Sequence, residues 1–279
     1  MNNFALPPDI PDYPQIITGH VPPFLDDPAR CGVLWHATPG RFMLEVPGVA
    51  RYLVEQGKQI TIDPLAENNT EAINRFLNWT PLAALWLQRG LLAFHAAAAE
   101  HNGKSLILTG DSGAGKSTLI AELVRRGWRL LADELTLTVA GGTGKLEILP
   151  TSQQVLLWPS ALEQLGIAVE DQKPGDLQRR GWQPEQTKGD ACPVNVLVHL
   201  SVHSRSQIEI EPVTGGKRFQ VLGSLLYNSH IADVLLDRKD FLTLGAKLSQ
   251  VPWYRLRRPR GVWNLAGLAD HIEGVFDAL

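Results

Sequence analysis

The stretch Gly110–Ser117 constrains this chain more than any other. Its sequence, G-D-S-G-A-G-K-S, matches the G-x-x-x-x-G-K-[ST] pattern of a phosphate-binding loop. The apolar segment Ser105–Thr109 in front of it predicts a buried strand, and Thr118–Arg126 behind it has helical spacing that ends at Gly127. Because such a loop works only between a strand and a helix, the sequence predicts a nucleotide-binding site here.

The chemistry of a polyphosphate explains the residue types in this loop. Glycines let the backbone curl so that consecutive N–H groups point at phosphate oxygens, and the helix N-terminus adds a partial positive charge. Lys116 can reach the β- and γ-phosphates, and Ser117 can offer a hydroxyl to Mg²⁺. A glycine-rich turn without a ligand is the alternative. The predicted nucleotide-binding residues are Gly110, Asp111, Ser112, Gly113, Ala114, Gly115, Lys116, Ser117 and Thr118.

Composition narrows the class of protein. With 279 residues, 44% hydrophobic and 20% charged, the chain has the balance of an ordinary globular protein. A net charge of −3 argues against nucleic acid or an anionic membrane as partner. The distant thiols Cys31 and Cys192 form no disulfide framework and no zinc motif. The N-terminus resembles no secretory signal and no apolar run is long enough to span a bilayer, so we expect a cytoplasmic protein.

The order of elements predicts an α/β protein in two parts. Residues 1–90 combine a proline-rich, irregular arm up to about residue 28, a small antiparallel sheet over 30–64 and two helices. Residues 91–279 form the domain with the phosphate-binding loop. In this second part we expect one strand over Leu91–Ala99, a polar surface loop over 170–190 and a helix over Gly216–Leu235.

Asp133 is the second residue expected to act in chemistry. It lies at the end of the strand that follows the loop helix, 17 residues after Lys116. The carboxyl ends of parallel strands share the edge of the sheet at which ligands bind. A carboxylate there can accept the proton of an attacking hydroxyl or hold Mg²⁺. Strand alternation predicts that Asp133 and Glu134 face opposite sides, so that only one of them faces the phosphates.

His95 and a local run of arginines are weaker candidates. His95, at the end of the preceding strand, can orient the acid or offset phosphate charge, although a histidine in an alanine-rich strand is more often a packed core residue. His199 and His203 are four residues apart in a strand-like segment, which is not the geometry of a helical metal pair. Residues 255–260 carry four arginines, which predict a solvated surface or an anion-binding patch.

Three segments together resemble the catalytic domain of HPr kinase/phosphorylase. They are Phe94–Ala97, Leu108–Thr118 and Arg126–Glu134, and they correspond to that family's histidine, its G-D-S-G-x-G-K-S loop and its strand ending in two acids. Looser similarity over 48–53, 87–90 and 156–159 resembles shortened relatives from bacterial clusters for ribosomal peptide natural products, among them kinases of lasso peptide precursors.

The resemblance implies a phosphoenolpyruvate-carboxykinase-like P-loop fold and an ATP- and Mg²⁺-dependent kinase. Its acceptor would be a serine or threonine hydroxyl of a peptide or protein, and the family's tendency to assemble makes a homo-oligomer possible. By this resemblance Asp133 is the catalytic base, Lys116 and His95 support catalysis, and Ser117 binds Mg²⁺.

Two departures from the family leave alternatives open. The second acid is Glu134 instead of aspartate, which still permits metal binding. The family's downstream E-[IV]-R-G-x-G signature is replaced by Glu147–Ser152, which argues against phosphorylase activity and against HPr itself as substrate. A small-molecule kinase and a nucleotide-binding regulatory module without phosphate transfer are the alternatives.

Overall fold

The computed structural model describes residues 14–66, 70–141, 144–168, 178–185, 187, 189–216, 218, 229–261 and 263–279. They group into two compact units. The N-terminal unit comprises Pro8–Ala93 and Leu226–Ala246, and the P-loop unit comprises Phe94–Leu225 and Lys247–Leu279. The division into a part over residues 1–90 and a domain over residues 91–279 stays a prediction.

The N-terminal unit contains a six-stranded sheet in the order β1-β6-β5-β4-β3-β2. Its five later strands pair antiparallel, which confirms the small sheet predicted over 30–64. β1 pairs parallel to β6, so the predicted irregular arm is wrong over this short strand. The strands are β1 (Gln15–Thr18), β2 (Arg30–Cys31), β3 (Trp35–Thr38), β4 (Arg41–Val46), β5 (Ala50–Glu55) and β6 (Gln59–Pro64).

Two helices follow this sheet, α1 (Thr70–Leu77) and α2 (Thr80–Gln88). Pro81 occupies the first turn of α2, as predicted, where its missing N–H costs no helical hydrogen bond. Trp86 of α2 is buried, and so is Tyr52 of β5, whose hydroxyl donates to the carbonyl oxygen of Ile73 at 2.9 Å. Burial raises the pKa of Tyr52 to about 12, which keeps this core hydroxyl protonated.

The P-loop unit contains the sheet that positions the site. Its order is β10-β8-β9-β15-β12-β11, and β17 also pairs with β15 and with β16. The long strand β15 runs parallel to both β9 and β17, and β10 has the same direction because β8 is antiparallel to each of its neighbours. The carboxyl ends of β9, β10, β15 and β17 therefore lie at one edge.

The remaining bounds are as follows. The strands are β7 (Leu92–Phe94), β8 (Ala97–His101), β9 (Lys104–Gly110), β10 (Arg129–Ala132), β11 (Thr136–Ala140), β12 (Leu146–Leu149), β13 (Val155–Leu157), β14 (Arg180–Trp182), β15 (Cys192–His203), β16 (Glu209–Pro212) and β17 (Trp253–Pro259). The helices are α3 (Lys116–Arg125), α4 (Pro159–Leu165), α5 (Ser229–Leu235), α6 (Arg238–Ser249) and α7 (Leu265–Asp277).

Helices α3 and α7 cover one face of the sheet in the P-loop unit. Apolar side chains at helical spacing on both helices meet alternate residues of β9 and β15 in one buried cluster. Trp128 lies within it, with its ring edge-to-face against Phe276 at 4.5 Å between centroids. Members of the cluster include Leu119, Leu123, Leu268, Ile272, Leu106, Leu108, Val196 and Val198.

Two expectations for this unit need correction, and a third is tested only over part of its length. The predicted strand over Leu91–Ala99 is two strands, because the chain leaves the ladder at His95 and Ala96. The predicted loop over 170–190 contains β14, which pairs with β13, while residues 169–177, 186 and 188 lie outside the described residues. Of the helix predicted over Gly216–Leu235, the structure describes α5, whereas residues 217 and 219–228 lie outside.

Candidate phosphate-binding and catalytic site

The phosphate-binding loop has the backbone that its glycines predict. Gly110 has φ +145°, and a Cβ there would collide with the carbonyl oxygen of Leu200 in the neighbouring strand β15. Gly115 has φ +106°, and a Cβ at that position would collide with the ring of Trp263. Both positions therefore require glycine, for conformation and for space.

Helix α3 begins directly after this loop and its N-terminus has no side-chain cap. Gly115 occupies the N-cap position and makes no side-chain hydrogen bond to the first turn, which starts at Lys116. The first N–H groups of a helix lack intrahelical partners and carry partial positive charge. This arrangement suits a phosphate group as the ligand that would cap the helix.

Lys116 folds back over the loop. Its Nζ donates to the carbonyl oxygens of Gly110 at 2.7 Å and Asp111 at 3.3 Å, and the residue is buried. Burial lowers the pKa of Lys116, and the nearby carboxylates of Asp133 and Glu134 act in the opposite direction. An anion bound in the loop would add to the groups that favour the charged ammonium.

The Asp133 carboxylate connects the end of β10 to the loop helix. The hydroxyl of Ser117 donates to Oδ1 at 2.9 Å, and the N–H of Leu156 donates to Oδ2 at 3.0 Å. Asp133 and Ser117 are thus brought together as the sequence predicted, because β9 and β10 end at the same edge of the sheet.

The surroundings of Asp133 change its acidity. Burial raises its pKa from 3.8 to about 6, against the opposing effect of the hydrogen bonds from Leu156 and Ser117. Glu134 raises this pKa further, and Arg179 lowers it. A carboxylate with a pKa near 6 is a better proton acceptor than an exposed aspartate and is still mostly ionised at neutral pH.

The prediction that only one of the two acids faces the site is wrong, because of the backbone conformation at Glu134. β10 ends at Ala132, and Glu134 has φ +70°, in the left-handed region, so strand alternation does not apply to it. Both acids line the same pocket. Glu134 forms an ion pair with Nη1 of Arg179, a residue that belongs to no sequence motif.

His95 lies between β7 and β8 and lines the same pocket. Desolvation lowers the pKa of its imidazole, Lys116 lowers it further, and Glu134 acts in the opposite direction. The neutral form is therefore favoured at neutral pH. The packed-core interpretation is wrong for His95, because its side chain is exposed to the pocket.

Arg258 holds the loop from the far end of the chain. It is buried, its Nε donates to the carbonyl oxygen of Ala114 at 2.9 Å, and its guanidinium lies 3.9 Å from the ring centroid of Trp263.

Neither prediction for the arginine run, a solvated surface or an anion-binding patch, applies to Arg258. Alternation along β17 could have revealed this, since Arg258 is on the same face as the core residue Leu256. Arg257, on the other face, pairs with Glu209 and Glu211.

His199 and His203 lie on β15, as the strand-like segment predicted. His199 shares a hydrogen bond of 3.1 Å with the hydroxyl of Thr109, and His203 is bonded to the carbonyl oxygen of Gln207. Within the described part of the chain, no group of three or more histidine, cysteine, aspartate or glutamate side chains is arranged to hold a metal ion.

The pocket beside the loop has a volume of about 370 Å³. Most of the predicted site residues line it, and Trp158, Arg179 and Trp263 are among the lining residues that were not predicted. Gly110, Asp111 and Ala114 shape the loop without lining the pocket. The described residues that line it are His95, Ser112, Gly113, Gly115, Lys116, Ser117, Thr118, Asp133, Glu134, Leu156, Trp158, Ser160, Ala161, Gln164, Arg179 and Trp263.

Comparison with known proteins supports the resemblance drawn from the sequence. A family model described as SynChlorMet cassette protein ScmC matches residues 61–163. HPr kinase/phosphorylase of Limosilactobacillus reuteri is 48% identical over 42 residues, which are 15% of this chain and 13% of that protein. The enzyme of Treponema pallidum is 46% identical over 44 residues, 16% of this chain and 14% of that protein.

The chain thus spans about one seventh of the length of these curated relatives. A solved structure of the Hpr(Ser) kinase/phosphatase from Coxiella burnetii aligns with 67% of this chain and 94% of its own, at 12% identity and a TM-score of 0.33.

The fold and site define an α/β protein with a phosphate-binding loop, a strand-end aspartate on the loop serine and a β-rich N-terminal part. Within that class, the chain resembles HPr kinase/phosphorylase, as the sequence indicated. Among the described residues, no helix has both the length and the apolar character that a membrane crossing requires.

Proposed function

We propose that this protein is an ATP-dependent kinase that phosphorylates a serine or threonine hydroxyl of a peptide or protein. The observation that carries this proposal is Asp133, a partly buried carboxylate with a pKa near 6, hydrogen-bonded to the hydroxyl of the loop residue Ser117. The segments that resemble HPr kinase/phosphorylase support the same reaction class.

In this proposal the chain's own groups position the triphosphate and remove one proton. The loop N–H groups, the N-terminus of α3 and Lys116 hold the phosphates. The acceptor oxygen attacks the γ-phosphorus, its proton passes to the Asp133 carboxylate, and the bond to the departing ADP oxygen breaks. Such catalysis is mostly positioning and electrostatics, which the rigid strand ends and the helix N-terminus supply.

The residues present fit Mg²⁺ as the accompanying ion. Ser117 offers a hydroxyl, and Asp133 and Glu134 offer carboxylates on the same pocket wall, the hard oxygen ligands that Mg²⁺ takes together with substrate phosphates. When bound, the ion would neutralise negative charge on the phosphate oxygens. Asp133 is the proposed proton acceptor, and Ser117 and Glu134 are the proposed ligands.

The match to a cassette protein and the loose similarity to natural-product kinases favour a ribosomally made precursor peptide as acceptor. We would incubate candidate precursor peptides with the protein, ATP and Mg²⁺ and follow them by mass spectrometry. The proposal expects one added phosphate on a hydroxyl residue. Phosphorylation of a free metabolite without peptide would instead establish a small-molecule kinase, and ATP binding without any transfer a regulatory module.

Asp133→Asn tests the proton-acceptor role. We expect phosphate transfer to fall by about 10²- to 10⁴-fold, the usual contribution of a general base, with nucleotide affinity retained. Calorimetric titration with ADP, with and without Mg²⁺, accompanies the rate measurement. If the variant loses the Mg²⁺-dependent part of ADP binding, Asp133 is a metal ligand instead of the base.

A further inference from the structure

Arg179 is a cation in the pocket wall that neither the sequence motifs nor the resemblance assigns. It directly precedes β14, and the next residue, Arg180, pairs with Leu157 of β13. That pairing anchors its backbone beside Trp158, the residue that follows β13. The side chain of Arg179 is one-third exposed, on the pocket side.

Two partners hold the guanidinium of Arg179. Glu134 forms an ion pair with Nη1, and the guanidinium carbon lies 5.3 Å from the ring centroid of Trp158. Both partners also line the pocket, and Trp158 is half exposed. A partly buried ion pair such as this one, with side chains 33% and 17% exposed, is weak evidence of a purely structural role.

The backbone of Glu134 points to function rather than packing. A non-glycine residue with φ +70° is uncommon and carries strain, and such residues concentrate at ligand sites. Here the strained residue directly follows Asp133 and directs a second carboxylate toward Arg179. The charge of Arg179 is also felt at the phosphate end of the pocket, where it lowers the pKa of His95, Lys116 and Asp133.

The charges of the pocket lining indicate whether Arg179 prefers Glu134 or a phosphate group as its partner. Among the described lining residues, Lys116 and Arg179 are the cations and Asp133 and Glu134 are the carboxylates, so with a neutral His95 these residues carry no net charge. A triphosphate brings several negative charges and offers a guanidinium two oxygens in fork geometry, which makes it a stronger partner than the single carboxylate of Glu134.

We propose that Arg179 is a ligand of the terminal phosphate of a bound nucleoside triphosphate, held by Glu134 and Trp158 until the triphosphate displaces the carboxylate. The proposal rests on the proposed function for the nature of the ligand. Arg179 would stabilise the negative charge of the transferring phosphoryl group, and the release of Glu134 frees its carboxylate for a metal ion.

The test is discrimination between di- and triphosphate, which needs no transfer reaction. Titrations in EDTA compare ADP with the non-hydrolysable β,γ-imido analogue of ATP. We expect the wild type to bind the analogue at least tenfold more tightly, the range expected for a charge-assisted hydrogen-bond pair. Arg179→Gln should bind ADP like the wild type and lose this preference, and Arg179→Lys should retain part of it.

Glu134→Gln provides the complementary arm. Since it removes the competing carboxylate, it should tighten binding of the imido analogue in EDTA and leave ADP binding unchanged. The matched control is Arg205→Gln, because Arg205 is an exposed arginine that pairs with Glu209 outside the pocket lining. It should bind both nucleotides like the wild type.

The outcomes separate this inference from the kinase proposal. If no acceptor is phosphorylated but Arg179→Gln abolishes triphosphate preference, the inference stands and the kinase proposal fails. If transfer occurs, Arg179→Gln should reduce kcat by about 10²- to 10³-fold, as loss of one transition-state donor does. Retained preference in Arg179→Gln, or equal losses of thermal stability in Arg179→Gln and Glu134→Gln without a change in nucleotide binding, would overturn it.

Discussion

At the scale of single residues, Asp133 shows a conflict between stability and reactivity. Its carboxylate is held by two donors, the Ser117 hydroxyl and the Leu156 N–H, yet burial still raises its pKa to about 6. The native state therefore binds this proton more tightly than the unfolded chain. A group arranged only for stability would have the opposite shift.

This shift predicts a pH-dependent stability defect. The pKa of Asp133 is higher in the folded protein than in the unfolded chain. Protonated Asp133 therefore contributes fully to the free energy of unfolding below pH 4, and this contribution is lost as pH rises through about 6. A rise from 3.8 to about 6 corresponds to about 3 kcal/mol. Asp133→Asn should recover up to that amount at pH 7.5 and almost none at pH 4, measured by urea unfolding.

The geometry allows asparagine at this position, since its carbonyl oxygen can accept from Leu156 while its amide donates to Ser117 Oγ. The control is Asp277→Asn, an exposed carboxylate at the end of α7. It should leave the free energy of unfolding unchanged at both pH values. A destabilised Asp133→Asn at pH 7.5 would contradict the burial argument.

At the scale of elements, side chains of β17 and of the loop after it contact the phosphate-binding loop and fix its conformation. Arg258 donates to the Ala114 carbonyl, across 144 residues of sequence, and the Trp263 ring covers the position where Gly115 lacks a Cβ. A loop that binds phosphate with backbone N–H groups must be preorganised, because reorganising those dipoles on binding would cost affinity. β17 supplies this rigidity.

Arg258→Leu should accordingly weaken nucleotide binding more than it weakens the fold. The Ala114 carbonyl loses a charged hydrogen-bond donor, and such a hydrogen bond contributes about 1.5–3 kcal/mol. Because the loop is then less preorganised, we expect the Kd for ADP to rise about tenfold or more. Replacing a buried guanidinium by an apolar side chain offsets much of the cost to folding. Calorimetric titration gives the affinity, and chemical denaturation gives the stability.

Arg257→Gln is the matched control for this element. Arg257 is the preceding residue on the opposite face of β17, where it pairs with Glu209 and Glu211. Its removal should leave ADP affinity within a factor of two of the wild type, in keeping with the small contribution of partly exposed ion pairs. Equal losses of affinity in both variants would show that β17 acts only through its general integrity.

At the scale of the whole molecule, the described residues of the P-loop unit come from two separate stretches of chain. Phe94–Leu225 contributes the loop and both acids, and Lys247–Leu279 contributes β17 and α7. Arg126, at the end of α3, connects the two by ion pairs to Asp270 and Glu273 of α7. Folding of the site thus depends on the C-terminal helix.

Phe276→Ala measures that dependence. Phe276 is buried edge-to-face against Trp128, so truncation leaves a cavity in the core of the P-loop unit. We expect a loss of about 3–5 kcal/mol in the free energy of unfolding, followed by denaturant titration. Leu279→Ala, at an exposed position after α7, should change it by less than about 0.5 kcal/mol. Similar losses in both would mean that α7 is not part of the cooperative core.

The amino-acid sequence alone was sufficient to predict the phosphate-binding loop, the strand and helix around it and the approach of Asp133 to Ser117. These features depend on contiguous residues or on the rule that strands of one direction end at one edge. The antiparallel sheet near the N-terminus was equally predictable, since hairpin signals are local.

Only the tertiary structure decided which charged groups surround the loop and which pKa values the acidic groups have. Arg179 lies 45 residues from Glu134 and Arg258 lies 144 residues from Ala114, and no local pattern links either pair. The pKa of Asp133 depends on burial by elements that are distant in sequence, and the left-handed backbone of Glu134 cancels the strand alternation that the sequence predicted. The loop's own conformation is encoded locally, whereas the electrostatics that would make it a catalyst arise from long-range packing.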